Sequence, residues 1–436
     1  MRSMNQKRRG RWVAAAALLA LLGAACSSTT KNSVSNATVP PATTSGSTNQ
    51  GNSGPTPGIT SSTITIGQIA TVTGPVPGLF QGAFNGLDAW AAYVNSTGGI
   101  GGRTVKVVQK DDALDCNTYT NDLNSLNSQV FSVVGTFTIE DTCGKTLLTS
   151  NPTFPDIQGY LLDPHLISLP NALTPTPQPP GYFTTGAIWL KQKFPQAIAH
   201  SADLYSTLAK LSYEEISDTY KSQGFQYVYT RGTGPLETNF TSDILRMKSL
   251  GVRVVTLEAQ QVGAIAAFIQ QADQQGFHPD AIVAAQAYDS ALFKAIGSSD
   301  ASNLYMPLGY PLYLGQDRAT NPALATFLTW LNRVHPGANV DLYTVEAWAA
   351  GQLFAEAMKS LGSNPTRADL INAVHQVHGF TADGLLPSSD PGRKLGSVCI
   401  VVVGVKGHDF ARLNPADKGY ECNGSYNNIP LAQLGG

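Results

Sequence analysis

The chain has 436 residues, a net charge of −2 and only 13% charged residues. That balance lacks the basic footprint of a nucleic-acid binder, and the length exceeds what one compact domain holds. With 42% apolar residues the chain can bury a real core, so any disorder should be local.

Residues 1–25 read as a targeting segment. Lys7, Arg8, Arg9 and Arg11 form a positive start, and Val13 to Leu22 is an apolar run of signal-peptide length. The run falls short of the ~20 apolar residues that a spanning helix needs. It ends in Gly23-Ala-Ala-Cys26, which resembles a bacterial lipobox and implies that Cys26 is lipidated. Ordinary secretory cleavage with a free thiol is the alternative; lipidation leaves an even four cysteines for pairing. Residues 26–62 are mostly Ser, Thr, Asn, Gly and Pro. Such a composition buries little and predicts a flexible tether with a reach on the order of 30 Å.

From Thr63 the pattern becomes regular. Ile64, Ile66 and Ile69 mark a strand, followed by a loop of small and kinking residues from Thr71 to Gly78. Phe84, Leu87, Ala91 and Val94 recur at helical spacing. The helix stops at Thr97-Gly98-Gly99, and Thr104 to Val108 reads as a second strand ending in Asp111-Asp112. A further helix leads to a third strand, Val130 to Val134, which breaks at Gly135-Thr136-Phe137-Thr138. Parallel strands need helical crossovers, so this is a doubly wound α/β layer. Ligands bind such sheets outside the carboxyl ends of the strands. Attention therefore falls on the loops Thr71 to Gly78 and Thr136 to Gly144.

A Pro-rich passage from Gly144 to Thr185 leads to a crossover at Tyr182 to Gly186, and the same grammar restarts. Strands are predicted at Ala197–Ser201, Gln226–Tyr229, Val252–Leu257 and Ala281–Ala285. Helices are predicted at Tyr205–Ser222, Thr241–Leu250 and Val262–Gln275. A helix–Gly–strand rhythm recurring three times argues for a second parallel layer. Leu304 to Leu314 reads as a return crossover, and the helix Leu342–Ser360 should pack on the first layer. Val398 to Val405 is a last apolar strand beyond a third crossover near Thr381 to Leu386.

Several patterns suggest chemistry at first sight. Gly98-Gly-Ile-Gly-Gly102 lies between a helix and the next strand, the reverse of a dinucleotide loop, so a helix cap and tight turn is the stronger reading. Asp111, Asp112 and Asp115 lack calcium-loop spacing, and helix capping accounts for them better. His375 and His378 share a helical face but have no evident partner carboxylate, which favours solvated histidines. No Gly-x-Ser-x-Gly elbow occurs. Nothing assembles a nucleophile, base and orienter, so neither catalysis, a cofactor nor a metal site is expected.

Ile64-x-Ile-Gly, the Thr73-Gly74 turn, Asn95-x-x-Gly-Gly-Ile-x-Gly-Arg103 and the Asp111-Asp112 strand end carry a family likeness. They resemble the first lobe of ABC-transporter solute-binding proteins of the branched-chain amino acid branch, with the type I periplasmic-binding-protein fold. The likeness is densest over 63–143 and returns at Leu342-Tyr343 and from Gly384 to Val405. Phe154-Pro-Asp-Ile157 resembles a short first-lobe strand of that family. The resemblance implies two doubly wound parallel-sheet lobes joined by three crossovers. Lobe one would comprise residues 63–185 and 316–383, lobe two 186–315 and 384–428, with a tail at 429–436. It also implies a disulfide between Cys116 and Cys143. Cys399 and Cys422 bracket the last strand and tail, and an exported chain permits that bridge as well. Zinc is disfavoured by the absence of a CxxC pair.

The implied function is capture of a small polar solute (an amino acid, amide or short carboxylic acid) for the permease and ATPase subunits of an ABC importer. The implied protein is a monomer held outside the cell membrane by its lipid. A sensory protein of the same fold, reporting to a signalling partner, remains the other reading. Cleft-facing candidates from lobe one are Thr71, Thr73, Phe80, Thr136, Phe137, Thr138, Glu140 and Thr142. From lobe two they are Tyr205, Gln260, Gln261, Gln286 and Tyr288. By resemblance, groups near Thr138 and Thr142 would hold a ligand carboxylate, and Tyr205 would close over the ligand. Gln286 stands where amino-acid binders present an acid. The cleft is therefore expected to be neutral and to take free cations poorly, with only Glu140 and Asp289 offering negative charge.

Overall fold

The computed structural model describes residues 56–434, so the expected targeting segment, Cys26, most of the expected tether and the last two residues lie outside it. The chain opens with β1 (Thr63–Ala70), α1 (Gln81–Ser96), β2 (Thr104–Asp111), α2 (Cys116–Gln129) and β3 (Val133–Val134). A short helix α3 (Lys145–Ser150) and strands β4 (Asp156–Ile157) and β5 (Ala172–Leu173) complete a parallel sheet in the order β2-β1-β3-β4-β5. β1 sits inside it with Ile64, Ile66, Ile69 and Ala70 fully buried, as expected for a strand covered on both faces.

After β6 (Gly181–Phe183) the chain builds α4 (Thr185–Lys193), β7 (Ser201–Ser206), α5 (Lys210–Ser222) and β8 (Tyr227–Thr233). It continues through α6 (Thr241–Ser249), β9 (Val254–Glu258), α7 (Val262–Gln274), β10 (Ala281–Val283), α8 (Leu292–Ile296) and β11 (Leu304–Leu308). Helices α9 (Asp317–Thr320), α10 (Pro322–Val334), α11 (Leu342–Lys359) and α12 (Arg367–Val374) precede the last strands β12 (Val401–Lys406), β13 (Asp409–Asn414) and β14 (Tyr426–Asn428). The second sheet runs β13-β12-β11-β10-β9-β7-β8. It is parallel from β8 to β11, and β12 and β13 join it antiparallel. β14 returns to pair with β6 beside the first crossover.

Three segments differ from their sequence expectation. The strand expected at Ala197–Ser201 lies at Ser201–Ser206, after a 3-10 turn at Ile198–His200, so Tyr205 is in a strand and α5 begins only at Lys210. Asp203 hides this strand, because an acid 1% exposed in a strand interior reads as a loop residue. The expected crossover at Leu304–Leu314 begins instead as the strand β11. Pro307 obscures it, since Pro has no N–H for a ladder. The last crossover comes later than Thr381–Leu386. Ser389 Oγ donates to Pro175 O at 2.6 Å, and Lys394 Nζ donates to Ile167 O at 2.7 Å and Ala172 O at 3.0 Å, tying this passage to the first sheet. Burial lowers the Lys394 ammonium to about 8, with those carbonyls as its partners.

Both disulfides form, Cys116–Cys143 and Cys399–Cys422. The first joins the start of α2 to the loop after β3; the second closes the passage around β12 and β13. Each loop is of moderate length, for which the chain-entropy model gives about 3–4 kcal/mol.

Helix α11 packs against α1 at very short range, and small residues permit it. A Cβ on Gly86 would lie 2.2 Å from the Thr344 carbonyl oxygen, and one on Gly351 would lie 2.2 Å from the Trp90 ring. Trp90, Leu353 and Phe354 are fully buried along this seam. A methyl at Gly86 meets backbone, which cannot rotate away. Gly86→Ala is expected to cost about 1–3 kcal/mol through overpacking. Urea unfolding should show a lower midpoint with little change in slope; an unchanged midpoint would mean the helices separate freely.

Candidate functional site

The carboxyl ends of both parallel sheets face one cavity of about 240 Å³. Lobe one contributes Val76, Leu79 and Phe80 after β1, and Phe137 and Ile139 after β3. Tyr160 and Leu162 follow β4, and α11 contributes Leu342, Tyr343 and Glu346. Lobe two contributes Ser206, Leu208, Ala209, Ser212, Tyr213 and Ile216 around the start of α5, Glu258 at the end of β9, and Ala259 and Gln261 after it. Gln286 follows β10, and Tyr310 follows β11. Tyr182 and Phe183 of β6 line the cavity where the chain crosses between lobes.

The first wall is aromatic. Phe80, Phe137 and Tyr343 form a ring cluster with centroid separations of 5.6 Å, 4.8 Å and 5.3 Å, the two Tyr343 contacts being edge-on. On the other side Tyr213 stacks at 3.8 Å on Tyr205. This surface suits an apolar body, with orientation left to a few polar groups.

Two titratable carboxyl groups stand in this lining. Burial pushes the Glu258 carboxyl up to about 7. Burial, with Asp341 adding repulsion, pushes Glu346 up to about 8. Among the described residues the lining holds no Lys, Arg or His, so neither acid has a counter-charge within the cavity. At the crossover, Glu215 of α5 accepts from Gly181 N at 2.9 Å, and burial raises it to about 7.

Of the sequence candidates, Phe80, Phe137, Gln261 and Gln286 line this cavity. The other hydroxyls from lobe one are engaged within their own lobe. Thr71 Oγ1 donates to Asp112 at 2.7 Å, Thr138 Oγ1 donates to the same carboxylate, and Thr73 Oγ1 donates to Asp111 at 2.6 Å. Thr136 Oγ1 accepts from Ile69 N at 3.3 Å. Thr142 Oγ1 donates to Asp163 at 2.8 Å and borders a smaller hollow of about 140 Å³ beside the cavity. Glu140 caps no ligand-facing wall; its half-buried carboxyl is raised by burial and by Asp112 and Asp115. Tyr205 stands behind Tyr213 rather than in the cavity wall. Gln260 is buried and donates to Thr233 Oγ1 at 2.8 Å. Tyr288 lies in the lobe-two core, its hydroxyl accepting from Leu314 N at 2.9 Å. His375 and His378 turn to separate partners, the Pro170 carbonyl and the Asp390 carboxylate.

The expected source of negative charge in the cleft is therefore corrected. Glu140 and Asp289 are absent from the cavity wall, and Glu258 and Glu346 occupy it. Asp289 accepts from Ala291 N at 2.7 Å and Asn339 Nδ2 at 2.9 Å. Glu346 escaped sequence reading because it sits inside an apolar helix. Glu258 carried a faint signal, as an acid at the carboxyl end of the apolar run Val254-Val-Thr-Leu.

An acid whose folded pKa is raised keeps its proton longer in the folded state. The stability tied to that proton is complete below the ordinary carboxylate range and is lost as pH rises through the folded value. With Glu258 and Glu346 raised from 4.5 to about 7 and about 8, the empty protein should melt lower as pH rises through that window. Scanning calorimetry from about pH 5 to about pH 8.5 should show the fall, and Glu346→Gln should make it shallower without removing it, since burial also raises Glu215, Asp141 and Asp156 to about 7. A melting temperature that climbs across this window would contradict the assignment.

Comparisons with known proteins agree with this architecture. Residues 63–409 match the family model described as periplasmic binding protein. No curated protein matches the sequence significantly. Among solved structures, a branched-chain amino acid transporter substrate-binding protein, LivJ from Streptococcus pneumoniae, in complex with isoleucine, is similar with a TM-score of 0.66 and 16% identity. That match covers 80% of this chain and 100% of the other. A fatty acid ABC transporter substrate-binding protein from Thermomonospora curvata gives a TM-score of 0.69 at 17% identity, covering 87% of this chain and 96% of the other. An R. palustris solute-binding protein in complex with 4-hydroxybenzoate gives 0.67 at 17% identity, covering 84% and 98%.

Proposed function

The chain belongs to the periplasmic binding protein family, and from that premise we propose that it captures a small solute with an apolar or aromatic body between its lobes and presents it to an ABC importer. Members of this family bind small solutes outside the cytoplasm and are not enzymes. The observation that carries the ligand reading is the cavity itself. It is shared by the two lobes, open to strand ends of both sheets, and walled by Phe80, Phe137, Tyr213, Tyr310 and Tyr343. The similar proteins take isoleucine, 4-hydroxybenzoate, benzoate and, by description, fatty acid. All of these pair a polar group with an apolar body, which is the division of labour this lining offers.

The lipid anchor at Cys26, the tether and a monomeric state belong to the same proposal. The anchor and the tether rest on the lipobox-like run and on the composition of residues 26–62. No helix among the described residues is long and apolar enough to cross a membrane, so a lipid on a tether would be the means of staying near a permease. Cys26→Ser should release the exported protein from the membrane fraction.

Ligand binding should close the lobes about the crossovers, each lobe moving as a body. Native mass spectrometry of gently purified protein is expected to show a bound small molecule, and small-angle scattering a smaller radius of gyration when it is restored after removal. Tyr213→Ala should weaken that ligand by roughly 1–3 kcal/mol through lost aromatic contact. Unchanged affinity in Tyr213→Ala together with an unchanged radius would place the ligand elsewhere.

A further inference from the structure

We propose that the cleft recognises a protonated amine nitrogen on an apolar body, with Glu346 of lobe one as its carboxylate partner in a cavity that Glu258 of lobe two also lines. The proposal rests on the reading of this cavity as the solute site. Glu346 lines the cavity and is 9% exposed, yet its Oε2 is buried without a hydrogen-bond partner. Buried polar atoms in folded proteins are almost always paired, so the unpaired side of this carboxyl group points to a partner that arrives with the ligand, a donor once the carboxyl has given up its proton. Behind Glu258, Asp203 of β7 is also buried, with both carboxylate oxygens unpartnered.

The surroundings favour a cation over the alternatives. Glu346 faces Asp341 at the head of its own helix, and the phenols of Tyr160, Tyr182, Tyr310 and Tyr343. Glu258 faces Asp203 and the phenols of Tyr182, Tyr220 and Tyr227. The basic group acting nearby, Lys221, bears on Asp203 and is paired at 3.0 Å with Asp218 on the outside of α5. A carboxylate ligand would add negative charge where no positive charge waits for it. An ammonium would satisfy the orphaned oxygen, and the aromatic cluster of Phe80, Phe137 and Tyr343 stands in the same lining.

The proton balance makes the proposal measurable. Glu346, raised to about 8, holds its proton in the empty cleft at neutral pH. Binding replaces the carboxylic acid with an ammonium–carboxylate pair, N–H donating to O⁻, and the displaced carboxyl proton goes to solvent.

The test is calorimetry on the full mature chain near pH 7, in two buffers of different protonation enthalpy. The probes are 2-phenylethylamine, the neutral 2-phenylethanol and the anionic 3-phenylpropanoate. The amine is expected to bind at least about tenfold more tightly than the other two, releasing close to one proton. Glu346→Gln should weaken the amine about 30-fold or more, leave the alcohol within a few-fold, and abolish most of the proton release. Glu258→Gln should act in the same direction. Tightest binding by 3-phenylpropanoate, or a co-purifying ligand without a basic nitrogen, overturns the amine assignment and leaves the solute-binding reading standing. An unchanged amine affinity in both Gln variants overturns it too. If none of the three probes binds and no lobe closure accompanies any solute, both readings fall.

Discussion

Asp112, buried at the end of β2, ties together the two loops that form the first lobe's half of the cleft. Its carboxylate accepts from Thr71 Oγ1 after β1 and from Thr138 Oγ1 after β3, and it also takes Leu114 N at 3.0 Å. Asp111 does the same service next door, accepting from Val72 N at 2.9 Å and from Thr73. A charge-assisted bond to a buried carboxylate is among the stronger polar contacts available to a fold. With the loops held this way, Phe80 and Phe137 are brought to 5.6 Å and can form one wall with Tyr343. The disulfide from Cys116 to Cys143 reinforces the same corner, since it joins α2 to the loop that carries Thr138.

That arrangement has a chemical consequence. Hydroxyls that look available for a ligand in the sequence are consumed in holding the loops, and the lobe-one wall that remains is mostly carbon. Polarity in the cleft falls to groups brought from elsewhere, above all Glu346. Helix α11 presents that residue only because Gly86 and Gly351 let the helix lie close against α1. Carboxyl groups held among phenols and phenyl rings, without a cation, are unfavourable to the empty protein when ionised. Binding sites commonly tolerate such a cost because the ligand relieves it.

Much of the architecture is legible in the order of residues. Apolar runs such as Ile64 to Ile69 and Val254 to Leu257, separated by helical periods and Gly caps, report parallel strands with helical crossovers. The resemblance over 63–143 pointed to the same family that the match over 63–409 establishes. Misplacements came where a residue belies its surroundings. Asp203 sits in a buried strand, and Pro307 lies within another beside the cavity.

The sequence by itself determined the two-layer α/β plan and which loops would meet at the strand ends. These follow from periodicity and from short separations along the chain, which are local properties. Only the tertiary structure decided which polar groups in those loops face the cavity. Thr71 and Asp112 are far apart in sequence and become partners only when β1 and β2 pair. Glu346 and Glu258 lie on different lobes, and the absence of a cation between them in the lining is a property of the assembled wall. Charge in a cleft depends on distance and burial, and neither is fixed until the sheets are in place.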